Sequence, residues 1–262
     1  MLSFLKKKWC LRELSAEKVL ALVQELNIPQ TLAILLMNRG AVTADEVKTF
    51  LQADLSLLHD PFLMAGMDRA VERVIRAIES QEAITVFCDY DVDGVTSAAF
   101  LTHFFRDLKN PVSAYLPERK AEGYGLNADA IRKISEQGST LMITADCGIT
   151  GVKEVDLAND LGLDVIVTDH HQVGEEGLPN AVAVLNPHRD ECNYPFRFLS
   201  GVGLAFKLAI AIRSKLHSAG RKKEDLPNLK RHLDLFALGT IADVAPLTGE
   251  NHILTRHGLN VL

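Results

Sequence analysis

Three short apolar runs in this chain each stop at an aspartate. Ile84–Cys88 leads into Asp89-Tyr90-Asp91-Val92-Asp93-Gly94, Leu141–Ala145 into Asp146-Cys147-Gly148, and Val165–Thr168 into Asp169-His170-His171. Rich in β-branched and other apolar residues, the runs read as strands. In one parallel sheet their ends share an edge, which gathers Asp89, Asp91, Asp93, Asp146, Asp169, His170 and His171. Carboxylates packed this way repel one another, and their pKa values rise unless cations neutralise them. Divalent metals suit that task. A cysteine-free set of Asp and His favours Mn²⁺ or Mg²⁺, with imidazole tilting towards Mn²⁺. Further on, Leu235–Pro246 presents Asp243 between apolar neighbours. A buried carboxylate costs several kcal/mol without a cation or a hydrogen-bonded partner.

Each piece has a bland reading. Asp-x-Asp-x-Asp-Gly resembles a calcium loop, but the final glutamate of such a loop is replaced by Phe100. A lone aspartate after a strand is more often a helix N-cap. Adjacent histidines usually point apart. What favours a site is the coincidence of all three on strand ends.

The elements that must position these residues are legible from period. Strands are expected at Ala83–Cys88, Val112–Leu116, Thr140–Ala145, Asp164–Thr168 and Ala181–Leu185. Helices are expected at Ser97–Leu108, Asn127–Gln137, Gly151–Leu161 and Gly203–Ser218. This alternation predicts an α/β fold, a parallel sheet flanked by helices, with ligands at the C-terminal strand ends. Before it, Ser15, Pro29 and Thr43–Glu46 open helices, and Asp68–Glu79 gives a fourth. The domain reading is therefore a helical N-terminal region over 1–80 and a catalytic domain over 81–262.

The chain has 262 residues, 47% hydrophobic and 24% charged, so a sizeable core is available. No apolar run reaches the roughly 18–20 residues of a membrane span. Lys6-Lys7-Lys8 follow apolar residues instead of preceding them, the wrong order for a secretory signal. Cys10, Cys88, Cys147 and Cys192 lie far apart and read as reduced thiols. These features suggest a soluble intracellular protein. Net charge is −6, but Arg189 to Arg231 carries +6 against −12 elsewhere, which fits a local polyanion-facing surface.

Taken together, Asp91-Val92-Asp93-Gly94, Asp146-Cys147-Gly148, Asp169-His170-His171 and Gly239-Thr240-Ile241-Ala242-Asp243 resemble motifs I to IV of the DHH phosphoesterases, in the family's order. Tyr115-Leu116-Pro117-Glu118-Arg119 with Glu122–Leu126, Asn186-Pro187-His188-Arg189 and Gly201–Lys207 resemble the RecJ branch, the single-strand-specific exonucleases. The resemblance spans essentially the whole chain.

It implies two metal ions, Mn²⁺ or Mg²⁺. Asp91 would bind the first and Asp146 would bridge, while Asp93, His170 and Asp243 would complete the second. His171 would touch the scissile phosphate, and Asp169 would orient its neighbours. Many relatives place a histidine ligand where this chain has Phe87, and Asp89 is the expected replacement. Arg119 and Arg189 follow strand ends and are candidate phosphate contacts. Gly201 and Gly203 would let backbone N–H groups approach a phosphate at a helix N-terminus.

The implied function is a metal-dependent 5′→3′ exonuclease on single-stranded DNA, in DNA repair and recombination. It would be cytoplasmic and free of membrane, with helicases or single-strand-binding proteins as partners. The alternatives are a phosphodiesterase acting on short oligonucleotides or cyclic dinucleotides, and a RecJ-like scaffold without catalysis. The intact ligands argue against the scaffold. Family members carry DHH-associated and oligonucleotide-binding domains, expected here beyond Leu262.

Overall fold

Each of the five runs expected as strands pairs with a neighbour in the computed structural model, which describes residues 13–118, 123 and 125–262. The chain divides into two units, Met1–Ser56 and Leu57–Leu262. In the first, helices α1 (Ala16–Leu26), α2 (Gln30–Asn38) and α3 (Ala44–Gln52) surround Val19, Leu22, Ala33, Leu36 and Val47. Ser15 caps α1, and Thr43 with Glu46 forms a capping box on α3.

The second unit starts earlier than the expected boundary after residue 80. Helix α4 (Met67–Glu79) packs on the helix Gly201–Ser218 and the strand Ala183–Leu185 of the sheet unit. Its amphipathic pattern announces a buried face but not which partner covers it.

The sheet holds β1 (Ile84–Cys88), β2 (Val112–Tyr115), β3 (Leu141–Ala145), β4 (Asp164–Thr168) and β5 (Ala183–Leu185) in the order β2-β1-β3-β4-β5. All pairs are parallel. Residues of β1 and β3 are buried throughout, as expected of strands covered on both faces. Helices α6 (Ala128–Glu136) and α7 (Val152–Asp160) cover one face, with Ile131, Ile134 and Val155 against Phe87, Met142, Val165 and Val167. Helices α4, α5 (Val92–Asp107) and α8 (Gly201–Ser218) cover the other, backed by α9 (Leu233–Ala242) and α10 (Gly249–Gly258).

From β1 the chain steps outward to β2, then returns to the far side of β1 as β3. The strand order therefore reverses between β1 and β3. At such a switch point the two connections leave in opposite directions and open a crevice at the C-terminal ends. Asp89 follows β1 and Asp146 follows β3, so both stand at that crevice. Among the described residues, no single helix is long and apolar enough to cross a membrane.

Candidate metal centre

The turn from β1 into α5 is tight because of Gly94. A side chain there would fall 2.5 Å from the Asp89 carbonyl oxygen. Asp91 is the N-cap of α5, with Oδ1 accepting from the Gly94 N–H at 2.9 Å. This immediate entry into a helix is unlike a calcium loop. Asp89 is buried, and burial raises its carboxyl pKa. Phe87, at the position of the family's histidine, stacks on Tyr115 in the core.

Asp93 points from the first turn of α5 at the N-terminus of α8. Its two oxygens accept from Gly201 N at 2.5 Å and Val202 N at 2.9 Å. The helix terminus favours the anion, yet burial pushes its pKa up to about 6. Gly201 also lies against Asp146, where an added side chain would meet the Asp146 Cβ at 2.5 Å. Gly239 does the same for α9 beside Asp93 and Thr96. These glycines let the helices close on the carboxylates.

Asp146 has a left-handed backbone, φ +64°. Burial lifts its carboxyl pKa to about 10, with the charges of Asp93 and Asp91 adding to the effect. Its Oδ1 lies 3.0 Å from His170 Nε2 without hydrogen-bond alignment, and both atoms are buried and otherwise unpartnered. His170 Nε2 is also 3.9 Å from Asp93 Oδ2 and 4.0 Å from Asp243 Oδ2. Asp243 caps the C-terminal end of α9.

Ligand atoms therefore converge in three overlapping groups, each within 4.8 Å: Asp89/Asp91/Asp146, Asp93/His170/Asp243 and Asp146/His170/His171. Asp146 belongs to two of the three, as a bridging carboxylate would. The donors are carboxylate and imidazole only. Burial pushes the Cys88 thiol up to about 12 and the Cys147 thiol well above its ordinary value, so neither offers a thiolate. Two orphaned polar atoms among mutually repelling carboxylates fit hard divalent cations.

Asp169 has another task. Its Oδ2 accepts from Ile149 N at 2.8 Å, and its Oδ1 from His171 N at 3.0 Å. That Oδ1 also lies 2.7 Å from His171 Nδ1, and the bond lifts the imidazole pKa to about 9. Asn186, fully buried after β5, donates to His171 O at 2.8 Å and accepts from His188 N at 2.7 Å. It ties the histidine loop to the Asn-Pro-His-Arg loop.

Several expectations are corrected. Gly201 and Gly203 do not form a phosphate cradle: Gly201 N–H goes to Asp93 and Gly203 N–H to the capping Ser200 Oγ. Arg189 is held by the Val184 carbonyl and the Glu191 carboxylate, so its guanidinium is already engaged. Arg119 lies outside the described residues. Nor does the basic segment line the crevice as one surface. Lys207 is buried against Glu250. Lys215 and Arg221–Lys223 lie at or just past the far end of α8, which at 1.5 Å per residue is about 25 Å from its Gly201 end.

The family model for the DHH family, N-terminal domain, matches residues 83–240. This chain belongs to the DHH family. Among curated proteins, the single-stranded-DNA-specific exonuclease RecJ of Bacillus subtilis (strain 168) is 43% identical over 98% of this chain and 31% of its own length. RecJ of Escherichia coli (strain K12) is 37% identical over 98% of this chain and 44% of its own. The chain thus spans less than half the length of either relative. Of solved structures, RecJ of Thermus thermophilus in complex with Mn²⁺ covers 95% of this chain and 34% of its own, with 30% identity and a TM-score of 0.77. Another exonuclease RecJ bound to manganese covers 79% of this DHH chain and 49% of its own, with 36% identity and a TM-score of 0.66.

Proposed function

We propose that this chain is the catalytic part of a 5′→3′ exonuclease that hydrolyses single-stranded DNA with two divalent cations, Mn²⁺ or Mg²⁺. The observation that carries the metal reading is the pair of buried, unpartnered atoms Asp146 Oδ1 and His170 Nε2 at the switch point. Asp89, Asp91 and Asp146 would hold one ion, and Asp93, His170, Asp243 and Asp146 the other. Bound there, the ions would supply a water acidified to hydroxide and neutralise charge on the phosphoryl oxygens.

The protein's own groups do the rest. Asp169 holds His171 in one orientation through Nδ1, and the ring would meet a phosphoryl oxygen or the departing oxygen. The Asp169 carboxylate favours the charged imidazolium, so His171 enters as a hydrogen-bond donor. The N-terminus of α8 keeps Asp93 anionic and fixed. Single-stranded DNA as substrate, the 5′→3′ direction, repair and recombination, a cytoplasmic site of action and helicase or single-strand-binding partners belong to the same proposal. They rest on kinship with RecJ.

The experiment is a length series of single strands labelled at the 5′ or 3′ end, with Mn²⁺ and with EDTA. Release of the 5′ label first from strands of all lengths, abolished by EDTA, is expected. Hydrolysis restricted to dinucleotides would instead favour a short-oligonucleotide phosphodiesterase. Undiminished hydrolysis in excess EDTA would overturn the metal reading.

A further inference from the structure

The β3–β4 backbone ladder runs through the Ile143–Ile166 pair. Just beyond it, a side chain replaces the backbone. Thr168 N donates to Thr144 Oγ1 at 3.2 Å, and Thr168 Oγ1 donates to Thr144 O at 2.7 Å. Thr144 Oγ1 in turn donates to Cys147 O at 2.7 Å. Asp146 N donates to Thr168 O at 3.0 Å. The left-handed Asp146 is therefore clamped from both sides. Its own N–H is tied to β4, and the residue after it is tied back to Thr144.

A left-handed backbone costs a non-glycine residue about 1–2 kcal/mol. It persists only where neighbours over-determine it. Gly148, at φ +106°, completes the turn, and a side chain there would come 3.0 Å from Thr144 Oγ1. Both threonines are fully buried among aliphatic strand residues. Valine would fill the same space, so packing alone does not call for a hydroxyl at Thr144.

We propose that Thr144 is a positioning residue for the metal centre: its hydroxyl holds the Asp146-Cys147-Gly148 turn so that the shared carboxylate faces His170 and the motif-I aspartates. This rests on the metal-dependent reading of the site. Without the hydroxyl, the Cys147 carbonyl is released and Asp146 relaxes towards an ordinary backbone, carrying its carboxylate out of register. Residues behind metal ligands, when lost, cost about 10–100-fold in affinity or rate.

The test compares Thr144→Val, which keeps shape and removes the hydroxyl, with Thr144→Ser, which keeps the hydroxyl. Mn²⁺ binding by calorimetry and kcat and KM on a labelled oligonucleotide are read for each. For Thr144→Val, Mn²⁺ affinity should fall about tenfold and kcat about 10–100-fold, with KM within about threefold. Thr144→Ser should recover both to within about threefold. A purely structural threonine would lower the melting temperature and move neither Mn²⁺ affinity nor kcat below it. Wild-type affinity and kcat in Thr144→Val, or a serine variant as impaired as the valine one, would overturn the proposal. If Thr144→Val does not fold, Thr144→Cys, with its weak thiol donor, is judged by the same criteria. A wild-type chain that takes up no Mn²⁺ would instead defeat the metal reading beneath it.

Discussion

The two ends of the same five-stranded sheet both collect carboxylates and treat them oppositely. At the N-terminal ends, Glu82 precedes β1 and Asp164 opens β4. Arg73 of α4 reaches both, binding Glu82 at 2.7 Å and pairing with Asp164, and Arg76 adds a 3.3 Å contact to Asp164. Thr140 Oγ1 donates to Glu82 at 2.6 Å. At the C-terminal ends, Asp89, Asp93, Asp146 and Asp243 have their carboxyl pKa values raised, burial first among the causes. Among the described residues no arginine or lysine pairs with them. One edge is neutralised by the chain itself and reads as structure. The other is left for cations from outside, which is what a metal-using site requires.

The sharpest way to break this comparison is to remove a carboxylate from the uncompensated edge. Asp146→Ala should lower turnover at least about 1000-fold, about 4 kcal/mol of barrier. In EDTA its melting temperature should equal or exceed that of wild type, because the cost of burying that carboxyl has gone. A folded Asp146→Ala chain with wild-type rates would remove Asp146 from the site. Next in size is His171→Ala, expected to lose about 100-fold in kcat while binding the same number of Mn²⁺ ions. Equilibrium dialysis showing one ion fewer would make His171 a ligand instead.

The compensated edge should answer in stability, not rate. Arg73→Met leaves Glu82 and Asp164 without their shared partner. Both acids keep some solvent, so a cost of about 2 kcal/mol is expected in urea denaturation, with kcat unchanged. A large loss of kcat with intact stability would erase the distinction between the edges.

The smallest effect is in pH. Burial pushes Glu82 up, but its hydrogen bonds from Thr140 and Arg73 outweigh this and hold its pKa below the ordinary 4.5. A carboxyl lowered by folding stabilises above its unfolded value, and that contribution is lost as pH falls through the folded value. Glu82→Gln should therefore be slightly less stable at pH 7 in urea denaturation, by about 0.5 kcal/mol, with the gap closing in acid. The raised carboxyls of the opposite edge act in the reverse sense in metal-free protein. A gap that widened on acidification would refute the assignment for Glu82.

Much of the C-terminal, carboxylate-bearing edge was legible because it depends on local pattern. Strand runs ending at Asp89, Asp146 and Asp169 need only period and topology to converge. Asp169 and His171 are two residues apart, and their pairing follows from that closeness. What escaped depends on partners distant in the chain. Gly201 and Val202 meet Asp93 across more than 100 residues, so Gly201 and Gly203 read instead as a phosphate cradle. Arg189 escaped for another reason: its partners, the Val184 carbonyl and Glu191, lie within five residues, but residue type alone does not tell a guanidinium held by its own loop from one facing a phosphate. Arg73 sits on an amphipathic helix as though solvated, yet it is buried. Thr144 and Asn186 are single polar residues whose types carry no chemistry of their own. Their roles appear only when the turns they hold are seen.

Glu250, in the first turn of α10, is fully buried and bonds Lys207 Nζ at 2.8 Å, the Tyr194 hydroxyl at 2.6 Å and His59 N at 2.9 Å. This knot joins positions 191 residues apart. During synthesis it cannot close until α10 has left the ribosome, long after the sheet strands have emerged. Until then Lys207, in the second turn of α8, lacks its buried ion-pair partner, so α8 cannot settle on the sheet at full strength. Asp93 in turn waits for the N-terminus of α8. The metal edge is therefore finished late and from far along the chain. Contacts of such high sequence separation make for slow folding, with an interval in which strands and acidic turns stand exposed.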